Sequence, residues 1–391
     1  MASINLQGDT SGSISISAPS VAGSNTLTLP ATTQTLATQN ALGVRNRIIN
    51  GDMRIDQRNA GVSVTVTANT YTLDRWFAIS PTVSSKYSVI QSSTAPSNFT
   101  NSLLITSLSA YTLGASDRCT IAQIIEGNML ADLGWGTSSA KTITISFQVR
   151  SSLTGTFGGA VQNNTVTRSY PFTYTINSAN TWETKTITIS GDTTGTWETG
   201  TSAGIQLHFG IGVGSTYSGT ADAWASADYR SASSVTNILG TSGATFYITG
   251  VQLEVGDTAT PFEHRPYDME LARCQRYYYK RQPTGSVATL QPQLCFGGYS
   301  SSTTLAVYYL DFPVPMRIAP TAMEQSGTAS DYGVKGTGST LTLSSVPAWS
   351  DTTSFYLGSF TGTVSSGLTA GQSITLRAMS SNTYLAWSAE L

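Results

Sequence analysis

Charge is what this sequence has least of. Asp, Glu, Lys and Arg make up 11% of its 391 residues, against roughly 25% in ordinary soluble proteins. Twenty Lys and Arg face 22 Asp and Glu, a formal net charge of −2. No basic stripe is present, so no nucleic-acid partner is expected. There are only two histidines. No Gly-x-Ser-x-Gly, P-loop, His-Glu-x-x-His or Cys-x-x-Cys motif occurs, which leaves nucleophilic catalysis and zinc without a set of residues. The three cysteines, Cys119, Cys274 and Cys295, are odd in number and lack metal spacing. They read as small buried hydrophobes. No apolar run approaches the ~18 residues that cross a membrane, so no membrane insertion is expected. The opening MASINLQGDTSGS has neither a basic n-region nor an apolar h-region, and no secretory signal is expected. No cofactor is implied.

What fills the space is glycine (36 residues), Ser and Thr, with 18 Tyr, 12 Phe and 7 Trp to build cores. Disordered chains are usually highly charged and poor in aromatics. Here β-branched residues alternate with polar ones over many windows, which predicts an all-β protein.

The stretch from Phe246 to Lys280 organises the chain. Phe246 and Ile248 alternate with Tyr247 and Thr249, then Val251, Leu253 and Val255 continue on the other parity. The slip falls at Gly250 and predicts a β-bulge. Pro261 and Pro266 bracket a connector. Asp268 is expected to cap a helix whose apolar stripe is Leu271, Cys274 and Tyr278. Arg273, Arg276 and Lys280 crowd its later turns, where the helix dipole favours cations.

Four segments follow. Residues 1–44 hold one charged residue and two strand-like pieces, with Ile14 and Ile16 alternating with Ser and Leu27 and Leu29 with Thr. So little apolar surface builds no core alone, which points to interchain pairing or attachment through these four residues. Residues 45–265 read as a jelly-roll sandwich of some eight short strands with Ser/Gly-rich turns. In KTITISFQVR the apolar face is Ile143, Ile145, Phe147 and Val149. In GIQLHFGIGVG it is Ile205, Leu207, Phe209, Ile211 and Val213. The run from Ile121 to Leu133 reads either as a helical turn or as strand plus loop. Residues 266–281 are the linking helix, and 282–391 a second β-sandwich.

Little in the sequence is reactive. His208 lies on the polar parity of its strand and is expected to be partly exposed. His264 is expected to fix the connector by hydrogen bonding. Glu183, Asp192 and Glu198 cluster near Trp182 and Trp197. A glycosidase needs two carboxylates facing one sugar, but a solvated hairpin is the preferred reading, and no enzyme is expected. Asp52, Asp56 and Asp74 could include a calcium ligand, but sequence does not supply the ~6 to 8 oxygens required, and no metal is assigned. Asp74 is expected to pair with Arg75 or cap a turn. Binding candidates are loop aromatics with short polar neighbours: Trp224 and Tyr229, Asp331 with Tyr332, and Trp349 with Asp351. Each taken alone is also an ordinary core or interface residue.

NRIINGDMRIDQRNAG followed by YTLDRWF is similar to the opening of a jelly-roll domain of bacteriophage tail-fibre and minor structural proteins. ITGVQLEVGDTATPFEHRPYDMELARCQRYYYK resembles the segment closing that domain. FPVPMR at 312–317 resembles an element following the helix in phage fibre C-terminal domains, and residues 1–44 resemble fibre N-termini. NGDM and VQLEVG also resemble galactose-binding-type jelly rolls, a likeness of fold that carries no sugar site. The resemblance implies a virion structural protein made in a host cytoplasm. It would be a homotrimeric tail-fibre or related appendage subunit, attached to other virion proteins through its N-terminus. Its partner at the far end would be a host-surface glycan or receptor. A capsid-attached fibre or a tail adaptor is the alternative, and a surface-glycan hydrolase or a free carbohydrate-binding module lies further off. The helix and its Leu271 and Tyr278 are expected near the threefold axis.

Overall fold

The computed structural model describes residues 3–7, 11, 13–17, 45–283 and 291–391. The chain divides into two compact units, 1–43 and 44–391. In the first, Ser3–Gln7 and Ser13–Ser17 form an antiparallel hairpin with Leu6 opposite Ile14 and Ile4 opposite Ile16. Leu27 and Leu29 lie outside the described residues.

The second unit opens with a sandwich of two six-stranded antiparallel sheets. The front sheet runs Glu183–Ile189, Ile143–Ser151, Thr245–Val255, Ser102–Ser107, Tyr87–Ser92, Val64–Thr65. The back sheet runs Ser169–Ile176, Gly155–Asn163, Ala203–Val213, Arg118–Glu126, Trp76–Ala78, Thr70–Tyr71. Strand alternation sends Ile143, Ile145, Phe147 and Val149 inward to meet Leu207, Phe209 and Ile211, all buried. Phe147 and Phe209 meet edge to face with centroids 5.0 Å apart, a favoured aromatic geometry.

The back sheet departs from the sequence reading. Gly155–Asn163 is an inner strand despite its Gly-Gly pair. A Cβ at Gly159 would stand 2.5 Å from the Phe172 ring, and one at Gly158 2.5 Å from Ser231 Oγ. The glycines let neighbouring elements close on the strand, which masks its signal. Pro171 is confined to the edge strand, where a missing N–H is tolerated. Arg118–Glu126 is buried on both faces, so it has no alternation to read, and two short 3-10 turns follow it. His208 is 1% exposed rather than open to solvent. The 214–232 segment folds over this face through Gly158 and Gly210 against Ser231, and the ring takes Thr120 Oγ1 at 3.0 Å as its partner.

The bulge forms where the parity changes. The register of Thr245–Val255 against Ile143–Ser151 shifts between Thr249 and Gln252, with Gly250 at φ +61°.

The helix spans Tyr267–Gln275, with Pro266 and not Asp268 at the N-cap. It ends early because three tyrosines follow, and aromatics favour extended chain. Tyr278 therefore belongs to the Tyr278–Arg281 strand and not to a helical stripe. Its side chain is 2% exposed, and its hydroxyl donates to Glu324 at 3.0 Å. Arg58 stacks 3.6 Å above its ring. A residue so enclosed is unavailable to a threefold interface. Leu271 is half-buried, packed with Cys274 and Tyr277 against Ile49 and Ile55.

The described strands from Tyr278 onward make three small sheets around Tyr308, Phe312, Phe360 and Trp387. Leu385–Ser388 lies between Tyr278–Arg281 and Met323–Gln325, so the apolar end of the chain is docked in a sheet, as its composition suggests.

Candidate functional site

The front sheet leaves one face outward. Because Ile145, Phe147 and Val149 point in, Ser146 and Gln148 point out, and Thr186 and Thr184 stand opposite them on the edge strand. The same parity turns Tyr247 outward beside Trp182, with centroids 6.1 Å apart. Across the floor, Phe99, Phe262 and His264 form a cluster with centroids 4.9 to 5.2 Å apart.

The bulge builds this second wall. A Cβ at Gly250 would lie 2.7 Å from Phe99 Cζ, so the ring rests on bare backbone. The Pro261–Pro266 connector brings Phe262 and His264 to the same place. His264 therefore packs among aromatics, where hydrogen bonding was expected.

Trp182, the floor residues and the Phe99 cluster enclose a groove of about 1080 Å³, just above the ~300 to 1,000 Å³ usual for ligand sites. Trp182 stands at one side and Phe99 at the other, with hydroxyls and an amide between. Among the described residues, the side chains of Ser146, Gln148, Thr184 and Thr186 make no hydrogen bond. They are open donors and acceptors beneath two aromatic walls.

The structure scatters the binding residues expected from sequence. Trp224 is half-buried in a box with Trp135, Trp197 and Tyr170. Its Nε1 donates to the Ser190 carbonyl at 2.9 Å. The cavity beside that box, between Leu133, Trp135 and Trp197, measures about 30 Å³, room for a water or two. Tyr229 packs over Gly219. Tyr332 is fully buried, its hydroxyl donating to Tyr384 O at 2.6 Å and accepting from Ser326 N at 2.9 Å. It is a core residue, placed by the same fold that packs Val334 and Leu376. Asp331, half-buried, accepts through its carbonyl from Thr383. Trp349 and Asp351 remain at the surface, with Trp349 38% exposed.

Two of the three carboxylates grouped with Trp182 and Trp197, Glu183 and Asp192, are occupied. Burial pushes Glu183 up, but Lys185 and the N–H groups of Ser178 and Asn177 outweigh it and hold the acid at about 2. Asp192 is 2% exposed and takes Arg168 through both oxygens at 2.7 and 2.8 Å. Burial opposes its ionisation, and Arg168 with Thr194 lowers its pKa nonetheless. A general acid for glycoside cleavage needs a raised value, and these two are shifted the other way.

Asp74 pairs with Gln57 and not with Arg75. Burial raises it to about 6. Asp52 pairs with Arg54, and Asp56 accepts from Asn59 and Gly61 N–H. Among the described residues no three His, Cys, Asp or Glu gather as a metal site requires.

The groove's floor was readable in principle. KTITISFQVR and ETKTITI place Ser, Thr or Gln on the outward floor positions 146, 148, 184 and 186, with Arg150 as the one charge on that parity, beside Trp182. The floor is an uncharged polar sheet face beside an indole. Phe99 and Phe262 gave no such signal, because loops 163 residues apart carry them.

No family model and no curated protein matches the sequence. Solved structures similar to the chain include the enzymatically active domain of tailspike protein 4 of bacteriophage CBA120. That match has 10% identity and a TM-score of 0.28 over 54% of this chain and 21% of the tailspike chain. They also include the CBM22-1 xylan-binding domain of a Paenibacillus barcinonensis protein, at 11% identity and a TM-score of 0.23, over 51% of this chain and 95% of that one. A third is the CBM22-1–GH10 part of Clostridium thermocellum xylanase 10B, at 15% identity and a TM-score of 0.26, over 51% and 29%.

Proposed function

We propose that this chain is a glycan-binding protein whose site is the front-sheet groove. One observation carries the reading: two aromatic walls, Trp182 backed by Tyr247 and Phe99 with Phe262 and His264, flank a floor of unpaired hydroxyls and an amide. Sugar rings present C–H faces that lie on aromatic rings and hydroxyls that need directional partners. A glycan array probed with the purified protein tests this. The expected result is binding to a subset of glycans that Trp182→Ala weakens at least about tenfold, the equivalent of ~1.4 kcal/mol. Equal binding by wild type and Trp182→Ala contradicts the site.

On the sequence resemblance, we propose that the binding serves host-surface recognition by a bacteriophage appendage. The chain would be a homotrimeric tail-fibre or related subunit of the virion, attached through residues 1–44. Light scattering is expected to give three times the 41.2 kDa chain mass, and a monomer mass contradicts the trimer. Immunolabelling of particles places the subunit on tail or capsid, and particles without label contradict the virion role.

A further inference from the structure

We infer that the groove takes an uncharged stretch of glycan and rejects uronate-, sialate- or sulfate-bearing chains. This rests on the glycan reading above and specifies its ligand. Among the described residues, His264 is the only ionisable side chain lining the groove. The charges nearest in sequence are committed elsewhere. Glu183 and Lys185 pair with each other at 2.6 Å. Glu263 accepts from the backbone N–H of Arg45 and Asn46 at 3.0 and 2.7 Å. Arg265 is 5% exposed and donates to Ile48 O and Glu270. Glu254 is 3% exposed and accepts from Thr260 and Gln252. Arg150 stands beside the Trp182 wall, with Nε on the Asn180 carbonyl and its guanidinium 4.9 Å over the Tyr247 ring.

An anionic sugar entering this groove gives up water around its carboxylate or sulfate and finds Ser, Thr and Gln in return. Burying a charge without a counter-charge is strongly unfavourable. A neutral sugar exchanges water for the same hydroxyls at little net cost and gains the aromatic contact. The groove volume, beyond the usual range for one small molecule, suits several linked sugars.

The test is affinity electrophoresis of the full chain in gels carrying dextran, mannan, galactan, β-glucan, polygalacturonate, alginate, polysialic acid or dextran sulfate. The expected result is retardation by at least one neutral polymer. It should change less than about twofold between ~50 and ~500 mM salt, since screening acts on charges alone. Trp182→Ala should abolish it, with its thermal transition checked for folding. Thr184→Lys, at an exposed floor position, should weaken the neutral polymer and admit an anionic one. Salt-sensitive binding of an anionic polymer that Trp182→Ala or Arg150→Gln removes overturns the inference and leaves the glycan groove standing. Retardation by no polymer overturns the groove reading itself.

Discussion

Glu390→Ala is expected to lower stability by about 3 to 5 kcal/mol, the scale of breaking a buried ion pair from one side. Glu390 is 6% exposed at its side chain and pairs with Arg75, which is 1% exposed, and with Arg58 at 3.2 Å. The Arg75 guanidinium also donates to Ile124 O and lies 3.6 Å over the Tyr277 ring. Arg75 holds a left-handed backbone, φ +70°, at the LDRW turn, so its aim is set by the turn and not by the side chain alone. Without Glu390 that cation stays buried and unpaired. The loss reaches further than one pair. Tyr71 donates to the Leu391 carbonyl, and Arg317 to the carbonyls of Ala389 and Glu390. These contacts join the end of the chain to the sandwich, so the 44–391 unit should unfold in one transition. Chemical denaturation of Arg75→Ala, Glu390→Ala and the double variant checks this, with the double variant losing less than the sum of the singles. A Glu390→Ala chain within about 0.5 kcal/mol of wild type contradicts it.

Gly250→Ala is expected to damage stability and binding together. The residue sits at φ +61°, where a side chain costs roughly 1 to 2 kcal/mol. The added methyl would also stand 2.7 Å from the Phe99 ring, so the ring must leave the strand it rests on. Phe99 forms the wall shared with Phe262 and His264, and moving it opens that side of the groove. Denaturant midpoints should fall by the strain, and glycan affinity by about tenfold or more, the scale of one lost aromatic contact. Phe99→Ala separates the two effects, because it removes the wall without straining the bulge. Gly250→Ala that binds as wild type contradicts the role given to the bulge.

Period-2 alternation revealed the sheet faces, and the parity slip at Gly250 revealed the bulge, because both are local. Four features were not local. The Gly158-Gly159 strand hides behind glycines that only the closing Phe172 and Ser231 explain. Arg118–Glu126 is buried on both faces and so shows no period. Tyr278 has helical spacing from Leu271 and Cys274, yet the tyrosine run pairs with Leu385–Ser388, whose sequence lies a hundred residues away. His208 sits on the polar parity, which normally means solvent, but a later loop covers it. The groove divides the same way. Its floor is written in two adjacent strands, while Phe99, Phe262 and His264 are brought together by folding. Tyr332 shows the converse error, since a tyrosine beside an aspartate reads as a loop platform until its hydroxyl is found bonded within the core.

The most direct measurement is a crystal structure of the protein with the neutral oligosaccharide it retains most strongly. The expected density is a sugar chain between Trp182 and Phe99, with hydroxyls within hydrogen-bond reach of Gln148, Thr184 and Thr186. Density at another surface, with this groove holding only solvent, contradicts the account.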